Sequence, residues 1–339
     1  MRKGARVPVK KIINHPEQVV QEMLEGIVLA HPDRLRLLEG TSVIVRKDAP
    51  VKNKVGVISG GGSGHEPAHA GYVGKGMLDA AVAGEVFTSP TPDQIFAAIQ
   101  AVNSGKGVFM VIKNYTGDVM NFEMAAELAA AEGIEVESVI VNDDVAVEDS
   151  TYTTGRRGIA GTVFVHKIVG AKAEEGAPLG EIKRVAEKVV KNVRSMGMAI
   201  SPCTVPAAGK PGFELGENEM EVGIGIHGEP GIARKPIATA DEIARTLTAH
   251  ILDDIKIASG DEVAVMVNGM GATPIMELYI VNRKVQQILQ EKEIRVYDTF
   301  VGNYMTSLEM AGCSVTILKL DDELKELLGR EADTPALKK

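Results

Sequence analysis

Hydrophobic and polar positions follow two alternating patterns along the chain. Short, mostly apolar runs rich in Val and Ile are followed by polar or glycine-rich loops and then by longer stretches with helical spacing. This alternation is typical of β-α units built around a parallel sheet. The predicted strands are residues 54–59, 107–113, 137–142, 221–226, 262–268, 294–301 and 314–320, and the predicted helices are residues 122–132, 158–172, 179–196, 239–255 and 274–289.

A proline- and glycine-rich stretch at residues 201–219 interrupts this pattern near the middle of the chain. A chain of 339 residues is longer than one typical domain of about 100–200 residues, so we expect two domains. We place the boundary near residue 185, which gives an N-terminal domain at 1–185 and a C-terminal domain at 186–339. The predicted fold class is α/β, with largely parallel or mixed sheets and ligand loops at the carboxyl ends of strands.

The composition narrows the class of protein. Aromatic residues make up 4% of the chain and Trp is absent, so the cores must consist of Val, Ile, Leu, Met and Ala. A net charge of −9 without a long basic block argues against a nucleic-acid partner. Two distant cysteines, and no apolar run of signal-peptide or membrane-span character, predict a cytoplasmic protein with neither disulfides nor a membrane contact.

Three polar segments after predicted strands carry the candidate chemistry. The first, SGGGSGHEP at residues 59–67, offers consecutive backbone N–H groups to a small polar ligand, with His65 at its end. It fits neither a Walker A loop nor a dinucleotide fingerprint, because no Lys follows and the glycines stand at other offsets. The alternative interpretation is a tight turn with a surface histidine.

The second segment is KNYTGD at residues 113–118. Asp118, just after a predicted strand, can take a proton from a substrate hydroxyl, and Lys113 can orient an oxygen or offset charge. The alternative is an Asn/Asp turn closed by Gly117.

The third segment is GIGIHGEPG at residues 223–231, in which His227 ends a predicted strand and enters a Gly/Pro turn. A neutral imidazole has one nitrogen with a free lone pair, which can attack a carbonyl carbon. The alternative is a histidine that hydrogen-bonds its own turn. No Cys/His cluster has ligand spacing, so no metal site is predicted. The remaining histidines carry no comparable signal: His15, His31, His69, His166 and His250.

Together, these segments resemble those of a known family, the substrate-binding (K-type) subunit of dihydroxyacetone kinase. The similar segments follow one another in the family's order: SGGGSGHEP, EVFTSPTPDQ, KNYTGDVMNF, DDVAVEDS, GRRGIAGTVFVHKIVGA, CTVPAAGKP, NEMEVGIGIHGEPGI and GATPIMELY. The resemblance runs from about residue 10 to the C-terminal TPAL. The combination of GGGSGHEP with GIGIHGEPG is highly specific.

The resemblance implies a phosphotransferase with an alcohol group as acceptor, and it implies roles for individual residues. His227 would form a hemiaminal with the ketone carbon of dihydroxyacetone, which excludes glycerol because glycerol has no carbonyl. His65 and Asp118 would be the acid/base pair, with Asp118 as the base for the hydroxyl that receives phosphate. The residues lining the substrate pocket would be Gly62, Ser63, Gly64, His65, Lys113, Asp118 and Ser89.

The chain lacks a Walker A loop, a kinase glycine loop and an acidic cluster suited to a magnesium nucleotide. In the family the nucleotide binds a helical L-type domain, either fused or separate. The resemblance therefore implies a homodimer that binds no cofactor itself and works with an L-type partner subunit. That partner would carry ATP, or ADP recharged by a phosphotransferase-system M-type subunit, with Mg²⁺.

Two alternatives stay open at this point. One is a dihydroxyacetone-sensing coactivator paralogue without turnover, which would need only the capturing histidine. The other is a kinase subunit for another short ketose, such as erythrulose.

Overall fold

The computed structural model describes residues 10–339, which form two six-stranded mixed sheets with helices between and outside them. The helices are α1 Val19–Ala30, α2 Pro92–Val102, α3 Thr116–Ala131, α4 Thr162–Glu174, α5 Leu179–Asn192, α6 Ala240–Asp254, α7 Ile275–Glu291 and α8 Asp322–Gly329. The strands are β1 Leu35–Leu37, β2 Val43–Arg46, β3 Gly56–Ser63, β4 Ala80–Val86, β5 Val108–Lys113, β6 Val136–Val141, β7 Val193–Ala199, β8 Glu219–Val222, β9 Ala233–Pro236, β10 Glu262–Gly269, β11 Arg295–Gly302 and β12 Gly312–Leu320.

The two sheets differ in strand direction. The first has the order β1-β2-β4-β3-β5-β6, and its pairs β4-β3, β3-β5 and β5-β6 are parallel. The second has the order β11-β10-β12-β7-β8-β9, and only its β10-β11 pair is parallel. The mixed α/β fold is as predicted, but the second half is mostly antiparallel rather than a repeat of parallel units.

Side chains alternate between the two faces of each sheet, which produces a layered core. In β5, Met110 packs with α2 and α3 on the outer face, whereas Phe109 joins the central cluster around α4 and α5. In β10, Val265 packs with α6 and α7, whereas Met266 joins the same central cluster. Helices α4 and α5 therefore lie between the two sheets and belong to the cores of both.

Several predicted boundaries were wrong. The helix predicted at 179–196 ends at Asn192, because Val193–Ala199 form β7, which pairs with β12 and β8. The strand predicted at 221–226 ends at Val222, so His227 lies in a turn and not at a strand end. Most of the segment read as a glycine loop is the end of β3, whose residues through Ser63 pair with β4.

The helix predicted from residue 122 begins at Thr116, so Asp118 lies in its first turn rather than in a loop. The sequence pattern also missed α1, β1, β2, β4, α2, β9 and α8. Residue 185 lies inside α5, which contacts β6 of one sheet and β12 of the other. The division into 1–185 and 186–339 stays a prediction. Within residues 10–339, none of the helices has the length and apolar character that a membrane span requires.

Candidate functional site

Two imidazoles from opposite halves of the chain are in contact. His65 follows β3 and is completely buried, whereas the His227 side chain retains 13% of its exposure. Their Nε2 atoms are 3.1 Å apart. The fold thus joins the end of the glycine-rich strand to the turn after β8, across 162 residues of sequence.

The partners of the Nδ1 atoms fix the protons on both rings. His65 Nδ1 lies 2.8 Å from the Thr306 carbonyl oxygen, which can only accept, so this nitrogen carries a proton. His227 Nδ1 lies 2.9 Å from Glu229 Oε1, and it donates to that carboxylate. Each Nε2 atom would therefore hold a lone pair in the neutral ring, so a hydrogen bond between the two Nε2 atoms forms only when one of the rings carries a second proton.

Glu229 anchors the His227 turn. Besides the ring contact, its Oε2 accepts from the backbone N–H of His227 at 2.9 Å. Burial acts to raise the pKa of Glu229, but the His227 charge and hydrogen bond, with the Arg157 charge, lower this pKa to about 2. A Cβ on Gly225 would lie 2.1 Å from Glu229 Oε2, so only glycine at this position lets the carboxylate approach.

Arg157 also stabilises the turn that carries His227. It is fully buried, donates to Asp144 Oδ2 through Nε at 2.8 Å and to the Gly223 carbonyl through Nη2 at 2.7 Å. A buried, paired guanidinium places a fixed positive charge under the Glu229 carboxylate. The turn that carries His227 is therefore held by the side chains of Arg157 and Glu229 in addition to its backbone hydrogen bonds.

Three buried polar atoms near the histidine pair have no hydrogen-bond partner: Lys113 Nζ, Asp118 Oδ1 and Tyr115 Oη. Lys113 ends β5 and Asp118 lies in the first turn of α3, and both side chains are buried. A Cβ on Gly61 would lie 3.1 Å from Lys113 Nζ and 3.5 Å from Asp118 Oδ2, so both groups face the glycine strand. Because buried polar groups are normally paired, this cluster is suited to a small polar ligand.

Burial changes the proton affinity of these groups. It raises the pKa of Asp118, against the opposing effects of the Lys113 charge and the neighbouring Ser89 hydroxyl. Burial also lowers the pKa of Lys113, and burial together with the charges of Lys113 and His227 lowers the pKa of His65 well below its ordinary value. Asp118 is thus a stronger base than an exposed carboxylate, and His65 readily gives up a proton.

The structure brings most of the predicted site residues together. His65, Lys113, Asp118 and Ser89 surround the end of β3. Ser63 belongs to the same strand, but its hydroxyl donates to the Gly84 carbonyl at 2.7 Å.

The predicted glycines contribute through the backbone. The Gly64 N–H donates to the Glu66 carboxylate at 3.0 Å, and Gly62 packs against the backbone of residues 87–88. Whether these two glycines and Ser63 touch a ligand stays a prediction.

Sequence reasoning missed several residues that shape this site. Glu229 stands two residues after His227 inside the HGEP motif, and Arg157 stands in GRRG, so both had a local signal. The Thr306 carbonyl had none, because a backbone acceptor carries no sequence mark. Aromatic rings also surround His227: Tyr115 lies edge-on at 4.6 Å between ring centroids and Phe87 edge-on at 5.2 Å.

Two histidines without a sequence signal form a second pair. His69 Nδ1 lies 2.9 Å from His166 Nε2, and both rings are buried. In the part of the chain that the structure describes, no group of three or more His, Cys, Asp or Glu side chains is arranged to hold a metal ion.

Comparison with known proteins identifies the family. The Dak1 domain matches residues 25–336 of the chain. The chain belongs to the Dak1 family. It is 59% identical over 315 residues to the Listeria innocua protein named PTS-dependent dihydroxyacetone kinase 1, dihydroxyacetone-binding subunit DhaK, a match that covers 93% of this chain and 95% of that one.

Solved structures of this family have the same fold. The native dihydroxyacetone kinase of C. freundii superposes with a TM-score of 0.89 at 36% identity, over 97% of this chain and 60% of that chain. The dihydroxyacetone kinase operon co-activator DhaQ superposes with a TM-score of 0.87 at 39% identity, over 93% of this chain and 97% of that one. The family resemblance and the α/β fold class predicted from sequence are confirmed.

Proposed function

We propose that this Dak1 chain is the dihydroxyacetone-binding subunit of a dihydroxyacetone kinase. It holds the ketone covalently on His227 and presents a hydroxyl group to a partner subunit that carries the phosphoryl donor. The observation that carries this proposal is the His227 ring, whose Nδ1 is committed to Glu229 and whose Nε2 meets the buried His65. An imidazole oriented in this way has one reactive nitrogen in one fixed direction.

Capture of the ketone follows from the shared proton. As the proton passes to His65 Nε2, the freed lone pair on His227 Nε2 attacks the carbonyl carbon. The C=O π electrons move to the oxygen, which takes the proton from His65. The product is a neutral hydroxyl on a tetrahedral carbon, and the positive charge stays on the substituted His227 ring beside the Glu229 carboxylate.

Phosphoryl transfer then uses the other half of the site. Asp118 Oδ1, which is buried and unpartnered, accepts the proton of the terminal hydroxyl as the hydroxyl oxygen attacks the terminal phosphorus of the donor. The bond from that phosphorus to the bridging oxygen of the nucleotide breaks, and ADP stays on the partner subunit as the leaving group. The Lys113 ammonium offsets the charge that develops near the Asp118 carboxylate. Covalent fixation holds the hydroxyl in place, and effective molarities from such positioning reach about 10⁵ M or more.

The chemistry of capture sets the substrate class. Only a ketone or aldehyde can form a hemiaminal, so a polyol such as glycerol is rejected although it offers the same hydroxyl groups. The contacts that would separate dihydroxyacetone from other short ketoses involve the unbound ends of the ligand. Dihydroxyacetone is our choice among them because the Listeria relative's name specifies it.

The partner supplies what this chain is not expected to carry. We infer a separate L-type subunit with ATP, or with ADP recharged by an M-type subunit of the phosphotransferase system, and Mg²⁺ bound to that subunit. The PTS-dependent name of the Listeria relative supports the second of these donors. We further infer that the protein acts as a homodimer in the cytoplasm.

Carbon-13 NMR tests the covalent step directly. With dihydroxyacetone labelled at C2, we expect the carbonyl signal of the bound fraction to move into the region of tetrahedral carbon. Labelled acetone, which lacks the hydroxyls, and unlabelled glycerol as competitor test the roles of the carbonyl and of the hydroxyls separately. A bound ketone whose C2 signal keeps its carbonyl position would disprove the hemiaminal.

The likeness to co-activator DhaQ defines the second candidate, a ketone sensor without turnover. A sensor needs the capturing histidine but has no use for a base at the hydroxyl. The buried Asp118, whose Oδ1 has no hydrogen-bond partner, favours the kinase subunit. Mixing the chain with an L-type subunit and its donor distinguishes the two, because a sensor forms the adduct and yields no triose phosphate.

A further inference from the structure

Two residues with an unfavourable left-handed backbone lie beside the histidine pair. In residues 10–339, four residues other than glycine have a left-handed backbone: Asn53, Phe87, Glu293 and Leu308, with φ of 58°, 57°, 57° and 52°. Asn53 and Glu293 are exposed, as is common for this conformation. Phe87 and Leu308 are bulky and apolar, for which it is unfavourable, and strained residues of this kind cluster at functional sites.

Both strained residues lie against the same glycine. A Cβ on Gly64, the residue before His65, would come within 2.7 Å of the Phe87 ring and 3.3 Å of the Leu308 side chain. A Cβ on Gly62 would lie 2.5 Å from the Thr88 backbone nitrogen and 2.8 Å from Phe87 backbone atoms. Residues 87–88 can therefore occupy their position only because residues 62 and 64 are glycines without side chains.

The Phe87 ring contacts both catalytic imidazoles. It stacks on His65, with centroids 5.2 Å apart and an interplanar angle of 17°. It meets His227 edge-on, at 5.2 Å and 84°. Tyr115 meets His227 at 88° and 4.6 Å, so two rings restrict the rotation of the nucleophile.

We propose that Phe87 is a positioning residue for the covalent step. Its strained backbone brings the ring onto His65 and His227 together, and the ring fixes the two imidazole planes so that their Nε2 atoms share one proton. Gly64 makes room for this ring, and Gly62 makes room for the backbone of Phe87 and Thr88. The inference rests on the proposed function, because it is the hemiaminal step that needs this orientation.

Replacing the ring while keeping apolar bulk tests the inference. Phe87→Leu is expected to slow adduct formation with C2-labelled dihydroxyacetone about 10-fold or more, because the nucleophile loses its fixed orientation. Phe87→Tyr keeps the ring and is expected to retain the wild-type rate within about twofold. The matched control is Phe96→Leu, the same change at a partly buried phenylalanine packed on the outer face of the first sheet.

A second readout needs no ligand. In ¹⁵N-histidine-labelled protein, the shared Nε2 proton is expected to give a protected signal in wild type, Phe87→Tyr and Phe96→Leu, and to lose it in Phe87→Leu. If Phe87→Leu does not fold, Phe87→Met gives the same comparison. An unchanged signal and an unchanged adduct rate in a folded ring-less variant would overturn the role of Phe87. Absence of an adduct in wild type would instead reject the proposed function. In that case the Nε2 proton signal, which needs no ligand, still tests whether Phe87 positions the two imidazoles.

Discussion

Two histidine pairs with almost the same geometry lie in this molecule, and the proposed chemistry is assigned to one of them. His65 and His227 are in contact at 3.1 Å, with ring centroids 4.8 Å apart at 78°. His69 and His166 are in contact at 2.9 Å, with centroids 5.1 Å apart at 66°. A close contact between two imidazoles is therefore not what makes one of them a nucleophile.

The pairs differ in what surrounds them. The first has a carboxylate, Glu229, on the outer nitrogen of a ring that is partly exposed. The second pair is buried and lies beside the Ser59 hydroxyl rather than a carboxylate, and His69 Nε2 and His166 Nδ1 have no hydrogen-bond partner. Burial and the Lys113 charge lower the pKa of His166 to about 3. A carboxylate and access to solvent separate a candidate reactive pair from a structural one.

The largest effect expected is that of removing the nucleophile. His227→Ala should abolish the tetrahedral carbon signal at any ketone concentration, because the proposed nucleophile is removed and the neighbouring His65 ring is fully buried. The matched change in the other pair, His69→Ala, should leave the signal present if the protein folds. A surviving adduct in His227→Ala would transfer the covalent role to another residue.

Asp118→Asn separates capture from transfer. The amide keeps the shape of the carboxylate but accepts protons poorly, so the adduct should form while phosphoryl transfer falls by about 10²–10⁴-fold. NMR measures the first and a coupled assay with the L-type subunit measures the second. Equal losses in both would mean that Asp118 binds the ketone rather than acting as a base.

Removing the Glu229 carboxylate should make the His65–His227 pair resemble the His69–His166 pair, which has no carboxylate beside it. In Glu229→Gln we expect adduct formation to fall about 100-fold, since the shared positive charge loses its counterion. The unfolding free energy at pH 7 should fall by about 2–3 kcal/mol. Urea denaturation of wild type and variant at several pH values measures this difference.

The sign of the pH dependence follows from the depressed pKa of Glu229, about 2 in the folded chain against 4.5 for the ordinary group. The stability it contributes is complete above pH 4.5 and is lost as the pH falls through 2. The unfolding free energies of wild type and Glu229→Gln should therefore converge as the pH is lowered. A difference that stays constant would show that the lost contact is steric rather than ionic.

The smallest effect on activity is expected in the second pair. His166→Gln should form the adduct at a rate within about twofold of wild type, since its ring does not reach the reacting atoms. Its signature is in stability: the folded pKa of about 3 lies below the ordinary 6.5, so the contribution of His166 is present above pH 6.5 and is lost toward pH 3. Between neutral pH and pH 5, the unfolding free energy of the wild type should fall by about 2 kcal/mol more than that of the variant. A tenfold slower adduct would instead connect the two pairs.

The first half of the site was predictable because its groups follow apolar strands. Lys113 ends β5 and the glycine run completes β3, and neighbouring parallel strands bring their ends together. His227 was identified through its motif, whereas its predicted place at a strand end was wrong. Its turn is held by Arg157 and Glu229, and ionic contacts over such separations leave no periodic pattern in the sequence.

The missed strand β7 has a similar explanation. The amphipathic pattern of α5 continues into Val193 and Met196, and only pairing with β12 and β8 converts these residues to a strand. The backbone acceptor at Thr306 and the strained Phe87 were equally invisible. Local patterns predicted many of the elements but missed others, such as α1, β4 and β7, and contacts between distant segments decided where several elements end.

The central layer of α4 and α5 has a consequence for synthesis of the protein. These helices form one core with both sheets, and their sheet partners in the second half are made last. A nascent chain that has completed only its first sheet already displays the glycine strand and His65, but it still lacks the nitrogen that would trap a ketone. Under the proposed function, capture of a ketone needs His227, and the His65 ring that faces it is held by the Thr306 carbonyl, so the complete site requires segments from both halves of the chain.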